Sequence, residues 1–228
     1  MRAFLCLTFS LLFFIANAQP TVSEVLLKDE NERGLSDLLA FGNLYRVPWR
    51  YATGHPFLFT DVYQKEHVFV KGNQFEIELK YDLEYNYLVG LFLVDGFHQP
   101  VVLSPLAVDS FSLLGKSFVN GKILALDERQ YYQSIYSGKQ TLVFGYDKNF
   151  ISEYSNLNPR GKYSQLEVTQ WVNYQNNWFN VSTKSRLLKV FEPHKKEIKS
   201  FLKQHKWKYR LLTETQFKEL FKFIDTLE

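Results

Sequence analysis

The sequence predicts a mainly β protein of the α+β class: an antiparallel meander sheet, one form of which is a partly open barrel, covered by C-terminal helices. Three observations carry this reading. Phe75, Ile77, Leu79 and Tyr81 alternate with Glu76, Glu78, Lys80 and Asp82. A side chain reverses face at each residue of a strand, so a period of two describes a ribbon with one dry and one wet face. Tyr87–Val94, YLVGLFLV, is apolar at nearly every position, as expected of a strand covered on both faces. Beyond residue 183 the apolar spacing lengthens to three and four, which describes narrow helical stripes that need a surface to lie on.

The N-terminus is read apart from the fold. Arg2 is followed by the apolar run Ala3–Ala16, interrupted only by Thr8 and Ser10, and then by the small-x-small triplet Ala16-Asn17-Ala18. That order predicts a signal peptide over 1–18, cleaved before Gln19. The run is short for a membrane span, which needs about 20 residues. The single cysteine, Cys6, lies inside this segment, so the expected mature chain is cysteine-free and must be held by burial alone. Subtracting eighteen from 228 leaves 210 residues, enough for one substantial core. The expected organisation is an antiparallel β domain over 19–182 and a helical segment over 183–228 packed on the same domain.

In chain order, Lys28–Gly34 reads as an exposed loop, and Leu35, Leu38 and Leu39 as a short helix ended near Gly42. Val47–Tyr51 reads as an aromatic lid whose Pro48 excludes a central strand. Gly54-His55-Pro56 turns the chain into the first strand. His67–Val70 and Phe75–Asp82 form a hairpin across Lys71-Gly72-Asn73. Tyr87–Val94 and Phe97–Leu103 follow, joined by Asp95-Gly96. The remaining expected strands are Leu106–Leu113, Lys122–Leu126, Gln130–Tyr136, Thr141–Tyr146, Ser164–Tyr174 and Asn177–Val181. About ten short strands at hairpin spacing make a meander.

The helical end has its own punctuation. Leu187, Leu188 and Phe191 suit a short helix stopped by Pro193. Ile198, Phe201, Leu202 and His205 stripe a second one, with His205 read as a packed imidazole. Thr213-Glu214-Thr215-Gln216 fits a capping box, opening a third helix on Phe217, Leu220, Phe221, Ile224 and Leu227. This ending argues against an outer-membrane barrel, whose last element is a strand.

Catalytic signatures are missing from the sequence: no HExxH, GxSxG, Gly-rich phosphate loop or CxxC occurs, and the five histidines are scattered. Neither a cofactor nor a metal is expected. Glu76 and Glu78 lie two apart on one strand face, about 7 Å between Cα atoms. A pair of carboxylates can perform acid–base chemistry when their pKa values diverge, but alternation with core residues predicts that these two face water.

Charge is the more telling feature. The chain carries +3 overall, yet Lys184–Arg210 holds ten basic residues against Glu192 and Glu197. Lys195, Lys199, Lys203 and Lys206 recur at helical spacing and form the candidate anion-facing patch, suited to a lipid headgroup or acidic glycan. Nucleic acid is not expected of an exported chain, and no transmembrane span is expected after cleavage.

Gly54-His55-Pro56-Phe57-Leu58-Phe59, followed by EHVFVKGNQFEIELKYDLEYNYL, resembles a pattern in a family of exported β-rich proteins of Bacteroidetes. Leu79–Asp82 with Asn86-Tyr87-Leu88 carries the match, as does the basic helix Lys195–Lys203. The resemblance implies compartment and architecture; it implies no activity and no functional residues. At the hairpin the family places Asp or Asn before Gly, whereas here Gly72 precedes Asn73. Together these readings lead to an expectation of an exported, non-catalytic protein of the periplasm or cell exterior, acting by binding or assembly. The alternatives are a periplasmic carrier of an apolar or lipid ligand, suggested by Leu88–Val94, and an enzyme using paired carboxylates.

Overall fold

The computed structural model describes residues 42–46, 52–94, 96–126 and 128–228. The expected signal segment, the 28–34 loop, the Leu35–Leu39 helix and the Val47–Tyr51 lid lie outside these. The described strands are β1 (Asn43–Leu44), β2 (Gln64–Val70), β3 (Asn73–Asp82), β4 (Tyr87–Val94), β5 (Phe97–Val102), β6 (Val108–Leu113), β7 (Lys116–Asn120), β8 (Tyr131–Ser137), β9 (Thr141–Asp147), β10 (Phe150–Ile151), β11 (Lys162–Tyr163), β12 (Glu167–Tyr174) and β13 (Asn177–Asn180). The helices are α1 (Gly121–Leu124), α2 (Lys184–Val190), α3 (Lys195–Gln204) and α4 (Glu214–Leu227). Eleven strands form one antiparallel sheet in the order β1-β5-β4-β3-β2-β6-β7-β8-β9-β12-β13, and β10 pairs with β11 apart from it. The sheet is open, with β1 and β13 at its ends, and the C-terminal helices share its core.

Local chemistry explains the hairpins. Lys71-Gly72, Leu114-Gly115 and Gln175-Asn176 each join two strands with positive φ at both residues. That is the two-residue turn whose twist matches the flanking strands. The β2–β3 turn is thus made by Lys71-Gly72.

The meander doubles back once, and this bends the sheet. β5 leaves one edge of the first hairpins, whereas β6 pairs with β2 on the other. Val102 is level with Val89 and Lys80, whereas Val108 is level with Val70 and Asn73. In a flat sheet that offset, taken across four strand spacings, would separate Val102 from Val108 by roughly 30 Å. The connection between them reaches roughly 22 Å at most. The first half of the sheet must therefore curl, and a register shift at Phe69/Val70 helps it do so.

Rings fill the inside of the curl. Tyr81, Phe111, Phe118 and Tyr131 are each at most 1% exposed, and Phe111 and Phe118 stack with centroids 4.8 Å apart. Tyr81 meets Phe111 and Tyr131 edge-on, both at 5.7 Å. Two smaller clusters cover the outer face: Tyr45, Phe57 and Val89 at one end, and Leu126, Tyr132 and Val143 at the other. Burial of β4 on both faces is accordingly confined to Leu88, Val89 and Gly90; Leu93, towards its far end, is exposed.

Two expected strands change. The Phe57 segment makes a single bridge to Asp82 and no strand. Lys122–Leu126 is not a strand either: a strand not among those expected, β7, precedes it, and the chain then turns through α1. Ile123, Leu124 and Leu126 form a short apolar run that either period accommodates, and Asn120 decides between them. Its carbonyl accepts from Lys122 N (3.0 Å), and its amide donates to Pro105 O (2.7 Å) and Val108 O (2.9 Å). A Cβ on Gly121 would overlap the Arg129 and Leu126 carbonyl oxygens, so the turn requires glycine there.

The helical end matches its punctuation closely. Thr183 caps α2, and a 3₁₀ turn over Glu192–His194 carries Pro193 into α3. The capping box at α4 is complete, with Thr213 N donating to Gln216 Oε1 at 2.9 Å and Gln216 N to Thr213 Oγ1 at 3.3 Å. Phe217, Leu220, Phe221 and Ile224 are buried, each contributing about 1.5–3 kcal/mol. Both ends of α4 are pinned to the sheet. Glu214 bonds Lys116 and Gln133; Asp225 accepts from Tyr136 OH (2.6 Å) and Lys139 N (2.8 Å).

That second anchor leaves no room at Gly138, where a Cβ would overlap the Asp225 carboxylate and the Tyr136 hydroxyl. Gly138→Ala is expected to lower stability by about 1–3 kcal/mol, read as an earlier denaturant midpoint. Its bond to Asp225, with burial second, pushes the Tyr136 phenol up to about 12. A raised pKa gives a contribution present below the unfolded value of about 10 and lost as pH rises through the folded one. The anchor should therefore weaken near pH 12 in the wild type, and Asp225→Asn should bring the Tyr136 titration, followed by NMR, back towards the ordinary range.

Candidate functional site

The carboxylates of β3 are placed as the alternation predicts, with one exception. Glu76 and Glu78 are exposed. Glu76 pairs with Lys65 at 2.6 Å, with its side chain 49% exposed. The Lys65 hydrogen bond holds the Glu76 carboxyl below its usual range. This is a solvated charged ribbon. Asp82, expected beside them on the wet face, is fully buried. Phe57 crosses the end of the strand there, and Tyr45 OH donates to Asp82 Oδ2 at 2.7 Å. Its other oxygen accepts from Glu84 N (2.8 Å) and Tyr85 N (3.2 Å), so Asp82 organises the β3–β4 turn.

Three of the four patch lysines form a row. Lys195, Lys199 and Lys203 occupy successive turns of α3, all exposed, along one flank of the buried Ile198 and Leu202. Lys206 is not on the helix. It follows the C-cap His205 with φ 56°, because the chain must reverse there to bring Trp207 N back to Leu202 O (2.8 Å). His205 is an exposed but packed imidazole, 2.9 Å from Phe201 O through Nδ1, with its centroid 4.2 Å from Phe201 and 4.8 Å from Trp207. Leu211, eight residues beyond Lys203, is 73% exposed. Glu192 lies 3.8 Å from Lys195. Among the described residues no other acidic side chain pairs with this row.

A second site has no local signature in the sequence. Residues 53–59 start on β11, where Thr53 N donates to Gly161 O (3.0 Å) and Tyr163 N to Thr53 O (2.9 Å), and cross to the end of β3 at Phe57 and Leu58. Between them opens a cleft of about 460 Å³. Lys148 and Lys162 line it, with the rings of His55, Phe59 and Tyr163 and the polar Gln165; the lining contains no carboxylate. Lys148 Nζ donates to Phe57 O (2.9 Å) and His55 O (3.2 Å), leaving one of its three protons. Burial pushes the Lys148 ammonium below its ordinary value, and burial followed by the Lys148 charge does the same to His55. Phe59 holds a φ of 60° and sets its ring edge-on to Tyr146 at 5.5 Å. A non-glycine residue in this conformation is held by its surroundings at a cost of about 1–3 kcal/mol.

Among the described residues, no group of His, Cys, Asp and Glu could hold a metal ion, and no helix is long and apolar enough to cross a membrane. A scan of family models and searches of curated proteins and of solved structures found no match to this chain.

Proposed function

We propose that the protein is an exported, non-catalytic component of the cell envelope that acts by binding, and that its basic C-terminal face docks on an anionic lipid surface. The row Lys195, Lys199 and Lys203 is the observation that carries this reading. Three ammonium groups on one side of one helix, nearly free of acidic partners, present a positive field to the solvent. The exposed Leu211, a few residues further along the chain, supplies apolar contact at the headgroup boundary, where such side chains settle. The aromatic filling of the curled sheet supports binding at the surface.

Co-sedimentation with vesicles tests the docking. Binding is expected to vesicles containing phosphatidylglycerol and not to phosphatidylcholine alone, and it should weaken with salt. Lys195→Gln, Lys199→Gln and Lys203→Gln together should weaken it about a hundredfold, since each lysine near an anionic surface contributes about a factor of five. Indifference to lipid charge would overturn the proposal, and capture by an acidic polysaccharide alone would reassign the face to a glycan. Cell fractionation with N-terminal sequencing tests the compartment: an exported chain beginning at Gln19 is expected, and a cytosolic one would refute it.

A further inference from the structure

We infer that the cleft between residues 53–59 and β11 is a binding site for a sugar-sized carboxylate, of the uronic acid class. Its volume of about 460 Å³ falls within the range of small-ligand pockets. The charge is one-sided, with two lysines in the lining and no acid. Lys148 is held in place by two backbone carbonyls, neither of which neutralises it. Among the described residues no carboxylate pairs with Lys148 or Lys162. A partly buried ammonium without a counter-ion is costly, and a ligand carboxylate would offset that cost.

The rest of the wall fits a polar ring better than a lipid tail. Tyr163 is fixed by donating its hydroxyl to Glu84 Oε2 at 2.8 Å, and with Phe59 it offers rigid ring surface. Thr53 and Gln165 add neutral hydrogen-bonding groups suited to hydroxyls. Phe59 is kept in its left-handed conformation at this wall, and sparsely populated backbone conformations gather at ligand-binding positions. The site is separate in sequence and chemistry from the lysine row of α3, so the two proposals stand or fall independently.

Titration calorimetry and amide NMR on the purified protein, with glucuronate, glucose and inorganic phosphate as probes, test the assignment. Glucuronate is expected to bind at millimolar concentration or tighter and to shift the amides of Gly161–Leu166. Glucose should bind at least about tenfold more weakly, the factor given by ~1.4 kcal/mol of lost charge interaction. Lys162→Gln should cost glucuronate a similar factor, whereas the Lys195/Lys199/Lys203 triple variant should bind it as the wild type does. Lys148→Gln is a second variant, with its fold checked by denaturation because it also ties the 53–59 segment. Equal affinity for glucose and glucuronate, or glucuronate binding unchanged by Lys162→Gln, would overturn the inference. So would the absence of any shift, or shifts produced by phosphate alone.

Discussion

Phe118→Ala is expected to lower the unfolding free energy by about 3–5 kcal/mol, the range for emptying a buried phenyl site. Phe118 is completely buried. Its ring lies 4.8 Å from Phe111 and almost parallel to it, at 5°, with Tyr81 at 6.4 Å and Tyr146 at 6.2 Å. These neighbours come from β3, β6 and β9, strands held in place by the curl, so the void cannot close by moving one element. Denaturant titration should give an earlier midpoint with an unchanged slope. Phe118→Leu, which keeps most of the volume, should cost less than about 1.5 kcal/mol. Phe97→Ala, at a ring 72% exposed, should change stability by no more than about 0.5 kcal/mol. Equal effects at Phe118 and Phe97 would refute this account of the core.

Asp82→Leu should cost about 3 kcal/mol, because it strands a buried phenol and two backbone N–H groups at once. Tyr45, itself 5% exposed, would lose the acceptor that ties its segment to β3. Asp82→Asn keeps a carbonyl for Glu84 N and Tyr85 N and should cost far less. Acidity separates the two effects. Burial raises the Asp82 carboxyl above its usual range, partly offset by the hydrogen bonds from Tyr45, Tyr85 and Glu84. A pKa higher in the folded state means that protonation favours folding: the contribution is full below the unfolded value of about 3.9 and is lost as pH rises through the folded one. The wild type should therefore lose stability relative to Asp82→Asn as pH rises above about 4. The opposite trend in paired chemical denaturation curves would show that the hydrogen bonds outweigh burial.

Much of the architecture was legible because it is local. The alternation of β3, the turns and the capping box at Thr213 are each written within about eight residues. Asp82 was misread for a complementary reason. Period two assigns it to the outer face, correctly, but that face is dry at this end only because Tyr45 and Phe57 arrive from another part of the chain. β4 repeats the lesson, since its two-sided burial stops where that cover stops. Lys206 follows helical spacing but falls past a helix end fixed by Trp207 turning back to Leu202. The lysine row was visible as charge on a stripe. The cleft was not, because His55, Lys148 and Tyr163 meet through pairing between segments about a hundred residues apart, and no spacing rule spans that interval.

The doubling back at β2 also gives the two sides of this strand different ages. One side is satisfied almost at once by β3 across a two-residue turn. The other waits for β6, where Phe69 meets Ser110 about forty residues later. Until that segment arrives the edge stays unpaired, offering its N–H and C=O groups to any passing strand. Lys65, Glu66 and His67 stand on it, and Glu66 later accepts from Ser112 Oγ (2.6 Å) and Leu114 N (2.6 Å). The charges that deter a wrong partner during the wait include one that receives the right partner when it arrives.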